Sequence, residues 1–281
     1  MENSEEQSIN IQNDPYLELP KIFHLEMPLY RSYNLLIKEV KEKIYELTTF
    51  SGTIDAYCIW CKKESVFKSN SSSRWVFDQW LSQIENKLEE FNWHCAHNHS
   101  HCYRSYYFTA AGTNKFQKVG QFPSVADFQI PQVGKYRKIL GEEQYKELTR
   151  GVGVAAHGVG IGSFVYLRRV FENLIEEAHE LSLKEEGFNE DNYKLVSMDE
   201  KIGMLKSNLP DFLVENKVLY AILSKGIHEL TEDECLQYFE TIKIGIEQIL
   251  DEKIIQKEKA DKATKAREAI QKVHGKLNGN K

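Results

Sequence analysis

The chain has 281 residues, 41% hydrophobic and 28% charged, a globular composition that excludes disordered and fibrous classes. Its 36 Lys and Arg against 42 Asp and Glu leave a formal charge of −6, which excludes a broad non-specific coat on nucleic acid but not a local basic patch. At about 150 residues per domain, the length corresponds to one or two domains.

Residues 1–15 are polar and without periodicity, which predicts a flexible tail and no signal peptide. Leu35, Ile37, Val40, Ile44 and Leu47 predict a helix over 29–48, stopped at Ser51-Gly52. Ile54, Tyr57, Ile59, Val66 and Phe67 suit short strands around Cys58. Ser71–Ser73 then offer N-caps to a helix whose stripe is Phe77, Trp80, Leu81, Ile84, Leu88 and Phe91. Strand character returns at Tyr103, Tyr106, Tyr107 and Phe108.

From 132 onward the pattern is helical. Helices are predicted over 133–148, 161–183 and 212–223, the last ending at Lys225-Gly226 with Gly as a C-cap. Ser197 with Glu200, and Thr231 with Glu234, form capping boxes ahead of two further helices. In the Lys-rich last thirty residues, Ala263, Ala266, Ile270, Val273 and Leu277 alternate three- and four-residue spacing, a narrow coiled-coil-like seam. The longest uncharged mid-chain stretch, Gly151–Leu167, contains His157 and five glycines and is shorter than the ~20 residues a membrane helix needs. A cytoplasmic chain that does not enter a membrane is expected. Its five cysteines are then expected not to form structural disulfides.

The cysteines carry the sharpest chemical signal. Cys58-Ile-Trp-Cys61 is a CxxC knuckle, a turn that aims two thiolates at one ion. The second half lies in Trp93-His-Cys-Ala-His-Asn-His-Ser-His-Cys102, with two cysteines and four histidines in ten residues. Zinc takes four ligands at tetrahedral corners, usually two from each of two turns. Cys95 is the third ligand; His101 is preferred for the fourth, in competition with Cys102 and His99. No βαβ pattern surrounds Cys58 to support a redox CxxC. No His-x-Glu precedes it to support a deaminase-type centre. The zinc is expected to be structural, holding a small domain together.

The glycine run Gly151-Val-Gly153-Val-Ala-Ala156 and Gly158-Val-Gly160-Ile-Gly162-Ser163 lacks the preceding strand of a dinucleotide fingerprint and the Lys-Ser/Thr of a phosphate loop. A close helix crossing is the expected reading, with an anion at the helix N-terminus near Gly162-Ser163 as the other. Arg168 is spaced to pair with Glu172, while Arg168 and Arg169 together can also form an anion site.

The segment Gly160-Ile-Gly-Ser-Phe-Val-Tyr-Leu-Arg-Arg-Val-Phe-Glu-Asn-Leu-Ile-Glu-Glu-Ala178, with Leu223-Ser-Lys-Gly-Ile-His228-Glu-Leu, resembles the HEPN-like superfamily. More narrowly, it is similar to a bacterial HEPN-like group that often carries an N-terminal zinc ribbon. The resemblance covers roughly residues 125–250. It implies a four- or five-helix bundle, frequently dimeric and found in phage defence, toxin–antitoxin and RNA-processing settings. Catalytic members are metal-independent ribonucleases with an Arg followed about five residues later by a His. Here His228 matches the His, and Lys225 stands, at shorter spacing, where the Arg is expected.

The resulting expectation is an α+β, mostly α, chain. It has a tail over 1–15, a zinc-ribbon-like domain over 16–125, a HEPN-like bundle over 126–252 and a charged C-terminal helix over 253–281. The site residues are Cys58, Cys61, Cys95 and His101 for Zn2+, and Arg168, Arg169 and Lys225 for nucleic acid or another anion. The expected function is recognition of nucleic acid or protein, in phage defence or stress response. The alternatives are a ribonuclease using His228 and Lys225, and a zinc-stabilised dimeric adaptor. The expected partners are a second copy, RNA or an operon-encoded protein.

Overall fold

The computed structural model describes residues 14–70, 77–110 and 112–278. Residues 1–13 of the expected tail and the capping serines Ser71–Ser73 lie outside these. Asp14, placed in the tail by the sequence, is buried; it caps a 3-10 turn through Tyr16 N–H and pairs with Arg31 at 2.8 Å. Two compact units form, one from residues 14–132 with 152–159, the other from 133–151 with 160–278. Among the described residues, no helix is long and apolar enough to cross a membrane.

The first unit is built on β1 (Ser32–Asn34), β2 (Thr53–Cys58), β3 (Lys63–Ser69), β4 (Leu88–Cys95), β5 (Cys102–Ala110) and β6 (Lys115–Phe122). They form one antiparallel sheet in the order β1-β6-β5-β4-β3-β2, curved as a half-barrel. Two helices interrupt the meander, α1 (Lys38–Thr48) after β1 and α2 (Phe77–Ile84) after β3, and α3 (Val125–Val133) follows β6. Alternate strand residues point to opposite faces. Phe91, Trp93 and Cys95 on β4, and Tyr103, Ser105 and Tyr107 on β5, therefore share the buried face. A π-helical turn, Ile22–Glu26, lies against that face, with the Phe23 ring stacked on Tyr107 at 4.9 Å.

That turn is held by three buried polar groups. The Tyr107 hydroxyl donates to Phe23 O at 2.8 Å. His24 Nε2 lies 3.2 Å from Leu47 O, which can only accept, so Nε2 carries the proton and Nδ1 accepts from the Ser105 hydroxyl at 3.0 Å. Lys118, fully buried, donates from Nζ to His24 O, Met27 O and Gln121 Oε1. An ammonium has three donors, and all three are used.

This architecture overturns the expected zinc ribbon followed by a HEPN-like bundle. A ribbon is two hairpins with a metal in place of a core. Here both hairpins belong to a six-stranded sheet with its own aromatic core, including Phe67, Trp93, Tyr103, Tyr107 and Phe116. The helix expected over 29–48 is β1 followed by α1. Leu88 and Phe91 belong to β4, because Asn86 takes a left-handed φ of 57° and ends the helical path after Ile84.

The second unit takes α4 (Arg137–Ala156) up to Gly151, its last five residues belonging to the first unit; the helix is broken at Gly141, where φ is 74°. Then come α5 (Gly160–Ser182), α6 (Glu190–Leu195), α7 (Met198–Met204), α8 (Asp211–Glu215), α9 (Val218–His228) and α10 (Glu232–Asn278). Its core lies between α5, α9 and α10, where Phe164, Leu167, Phe171, Leu223, Phe239, Ile242 and Ile246 are all buried. Both capping boxes form. The helix expected over 212–223 is divided into α8 and α9. The two helices expected on either side of residue 252 are one helix of 47 residues, about 70 Å long at 1.5 Å per residue. In place of the four or five packed helices of a HEPN-like bundle, short helices α6, α7 and α8 fill the connection between α5 and α9.

Within the glycine run, Gly160 sits at a close helix crossing, whereas a Cβ on Gly153 would meet no atom outside its own helix turn within 4 Å among the described residues. A Cβ on Gly160 would lie 2.3 Å from Glu232 O, and one on Gly226 would lie 2.0 Å from the Phe164 ring. Gly226 thus sits inside α9 as a contact point rather than at its C-cap. Gly160→Ala is expected to destabilise by about 2–3 kcal/mol in urea titration, because the opposing atom is backbone and cannot rotate away. A change below about 0.5 kcal/mol would show that the crossing can open.

Candidate metal centre

Cys58 is the last residue of β2, and the turn that follows is closed by Lys62 in the left-handed region, φ 55°, with its N–H on Cys58 O at 2.7 Å. This brings the Cys61 N–H to 3.4 Å from Cys58 Sγ, so both sulfurs face one point. The second turn joins β4 to β5. Asn98 shapes it by accepting from Ser100 N–H at 3.0 Å, and Cys95 N–H donates to His101 O at 3.0 Å. Phe67 on β3 is paired with Cys95 on β4, which places the two turns side by side at one end of the sheet.

There the Sγ atoms of Cys58, Cys61 and Cys95 and one ring nitrogen of His101 all lie within 4.8 Å of one another. His101 Nδ1 is 3.6 Å from Cys58 Sγ and 3.3 Å from Cys61 Sγ, and Cys61 Sγ is 4.0 Å from Cys95 Sγ. All five cysteines are free, as expected, and these four residues can hold a metal ion.

The surroundings pull the thiols in opposite directions. Burial pushes the Cys95 thiol up, but the Ser65 hydroxyl at 3.0 Å and the backbone N–H groups of Asn98 and His97 outweigh it and hold the thiol down at about 6. Desolvation and the neighbouring Cys58 and Cys95 push Cys61 up to about 11, so gathering these sulfurs as thiolates is unfavourable without a cation between them. The Tyr103 hydroxyl donates to Tyr57 O at 2.6 Å and accepts from Ile59 N–H at 3.0 Å, fixing the first knuckle to β5. The Trp60 ring stacks on His101 at 5.2 Å.

Cys102 and His99 are not in the cluster. Cys102 is directly paired with His94, and its Sγ lies 3.8 Å from His94 Nε2 and 3.5 Å from Asn92 Oδ1. One step along an extended strand reverses the face, so Cys102 points away from where His101 points. The His99 carbonyl faces His94 Nδ1 at 2.9 Å.

The residues expected to bind anions are separated or neutralised. Arg168 donates to Glu172 at 2.8 Å and to the Tyr220 hydroxyl at 2.9 Å. Arg169 pairs with Glu147 at 3.1 Å, a carboxylate shared with Arg150. His228 is exposed at the end of α9, eight residues and so about 12 Å along the axis from the Tyr220 that Arg168 contacts. Lys225 is likewise exposed. The α5 N-terminus is occupied by the chain's own Glu232, whose carboxylate accepts from Gly160 N–H and from Ile161 N–H at 3.0 Å.

No protein-family model, curated protein or solved structure matches the chain. Sequence reasoning missed Ser65, Tyr103 and Trp60 around the cluster. Trp60 lies inside the CxxC turn itself, but Tyr103 carries no local signal, since it lies 44 and 46 positions from its two hydrogen-bond partners.

Proposed function

We propose that the chain is a non-catalytic, zinc-stabilised adaptor that presents the free half of α10 to an acidic helix of a partner protein. The carrying observation is exposure: every residue from Ile255 to His274 is exposed, including Ile270 and Val273 of the seam at 67% and 57%. Within that stretch the a and d positions from Ala263 to Val273 form an apolar seam open to water, a binding element awaiting its complement.

Zinc is supported by donor chemistry and spacing. Zn–S of about 2.3 Å and Zn–N of about 2.0 Å at tetrahedral angles require ligand–ligand edges of about 3.5–3.8 Å. The spacings of 3.3, 3.6 and 4.0 Å bracket that range. Three sulfurs and one nitrogen fill all four corners, leaving no open position for a reacting water, so the ion's role is to pin two hairpins.

The partner's chemistry follows from the flanks of the seam. Ala263, Ala266, Ile270 and Val273 occupy a and d positions; the flanking e and g positions are Lys262, Arg267, Ala269 and His274. The acids Glu258, Asp261 and Glu268 fall at c and f, away from the seam. A parallel pair of copies would set Lys262 against Arg267, so like charges oppose self-pairing and a Glu-flanked helix relieves them. The seam is narrow and without Trp or Phe, unlike a helix that lies in a membrane surface.

The test uses purified full chain and a chain ending at residue 254, with zinc measured by native mass spectrometry. The probe is a three-heptad peptide with Leu and Ile at a and d and Glu at e and g. About one zinc per chain is expected in both proteins, with peptide binding in the full chain alone and none by the Lys-flanked counterpart. Equal binding of the two peptides, or a dimer that truncation dissolves, would replace this reading. A zinc-free, folded protein would remove its structural half.

A further inference from the structure

In the second unit, a cleft of about 350 Å³ opens where α10 leaves the core. We infer that it binds a small amphipathic carboxylate, its apolar tail in the cleft and its head on Lys253 and Lys257. This is independent of the adaptor reading above.

The floor is apolar and fixed. Leu174 and Ala178 of α5 and Leu209 are buried and line it, with Ile139 from α4 and Pro210 completing the wall. The turn carrying Leu209 and Pro210 is tied to α10, because Phe212 N–H donates to Glu252 at 3.0 Å. The side wall is therefore held at a set distance and does not collapse onto α5. The size falls at the small end of ligand pockets, which suits a chain of about six to ten carbons.

The mouth is cationic. Lys253 and Lys257 are one helical turn apart, so their ammonium groups rise on the same side. One rim carboxylate, Glu177, pairs with Lys253, whose side chain is only 21% exposed. No acid within 4.0 Å pairs with Lys257 among the described residues. Glu177 is taken by Lys253, and Glu185 is held by the Asn208 amide at 2.7 Å, which leaves Lys257 as a cation without a carboxylate partner among the described residues, at the edge of an apolar cavity. An anionic head completes that set, and its tail covers apolar surface that water now wets.

Isothermal titration of the full-length, metal-loaded protein tests this with octanoate, octylammonium and octanol, all three carrying the same tail. Octanoate is expected to bind with a submillimolar Kd, and octylammonium at least tenfold more weakly. Lys257→Glu, at an exposed position, is expected to weaken octanoate at least tenfold. Leu181→Trp, at a half-exposed lining position, is expected to block the tail without moving the melting temperature. Absence of octanoate binding, equal binding of octanoate and octylammonium, or affinity unchanged in Lys257→Glu would each overturn the inference. Binding that survives in a folded Leu181→Trp protein would place the ligand elsewhere.

Discussion

Cys95→Ser is expected to lower the melting temperature of the zinc-loaded protein by about 8–16 °C and to abolish zinc retention. The magnitude follows from linkage. A ligand at a thousand times its Kd stabilises the native state by about 4 kcal/mol, and each kcal/mol moves the melting point of a protein this size by about 2–4 °C. Cys95 is the most informative ligand to remove, because it is buried, sits at the junction of β3 and β4, and is the thiol already held down by Ser65. Cys102→Ser is the matched control: the same chemical change on the opposite face of the sheet, expected to keep one zinc and shift the melting point by a few degrees at most. Equal losses in the two variants would mean that the effect comes from the sheet and not from an ion.

The metal cluster was legible because each half of it is local. Two residues separate Cys58 from Cys61, and five separate Cys95 from His101, so each turn is written in one short stretch of chain. The structure puts His101 and not Cys102 in the cluster because Cys102 is paired with His94, on the face opposite Cys95. The sheet was not legible, because what specifies it is distant in sequence. Phe23 meets Tyr107 across 84 positions, and Lys118 reaches His24 O across 94. Local pattern also misled where two periods overlap. Ile84 and Leu88 keep helical spacing, yet Asn86 between them turns left-handed, and Phe91, Trp93 and Cys95 then alternate as a strand. The HEPN-like expectation failed for a related reason. The α5 pattern that carried the resemblance describes a buried stripe beside a glycine crossing, and many helical arrangements need that. The partners that set topology, Glu232 on the α5 N-terminus and Phe164 under Gly226, are again remote.

Acid sensitivity is the second large effect, and it originates at His24. Burial, opposed by the hydrogen bond to Leu47 O and reinforced by Lys118, lowers this imidazole from 6.5 to about 3. The unfolded chain therefore takes up a proton below pH 6.5 that the folded chain refuses until about pH 3. The contribution of neutral His24 is complete above pH 6.5 and is lost as the pH falls toward 3, by up to about 1.4 kcal/mol per pH unit. From pH 7 to pH 4.5 this amounts to about 2–3 kcal/mol. His24→Gln keeps a donor for Leu47 O and an acceptor for the Ser105 hydroxyl but cannot titrate. Urea unfolding at the two pH values is expected to show that the variant, though less stable at pH 7 through imperfect packing against Phe91 and Trp93, loses about 2–3 kcal/mol less than wild type on acidification. Carboxylates titrate over the same range in both proteins, so the difference between them isolates the histidine. Parallel losses in variant and wild type would show that His24 accepts its proton in the folded state, and would require the turn at Ile22–Glu26 to open to water before the sheet unfolds.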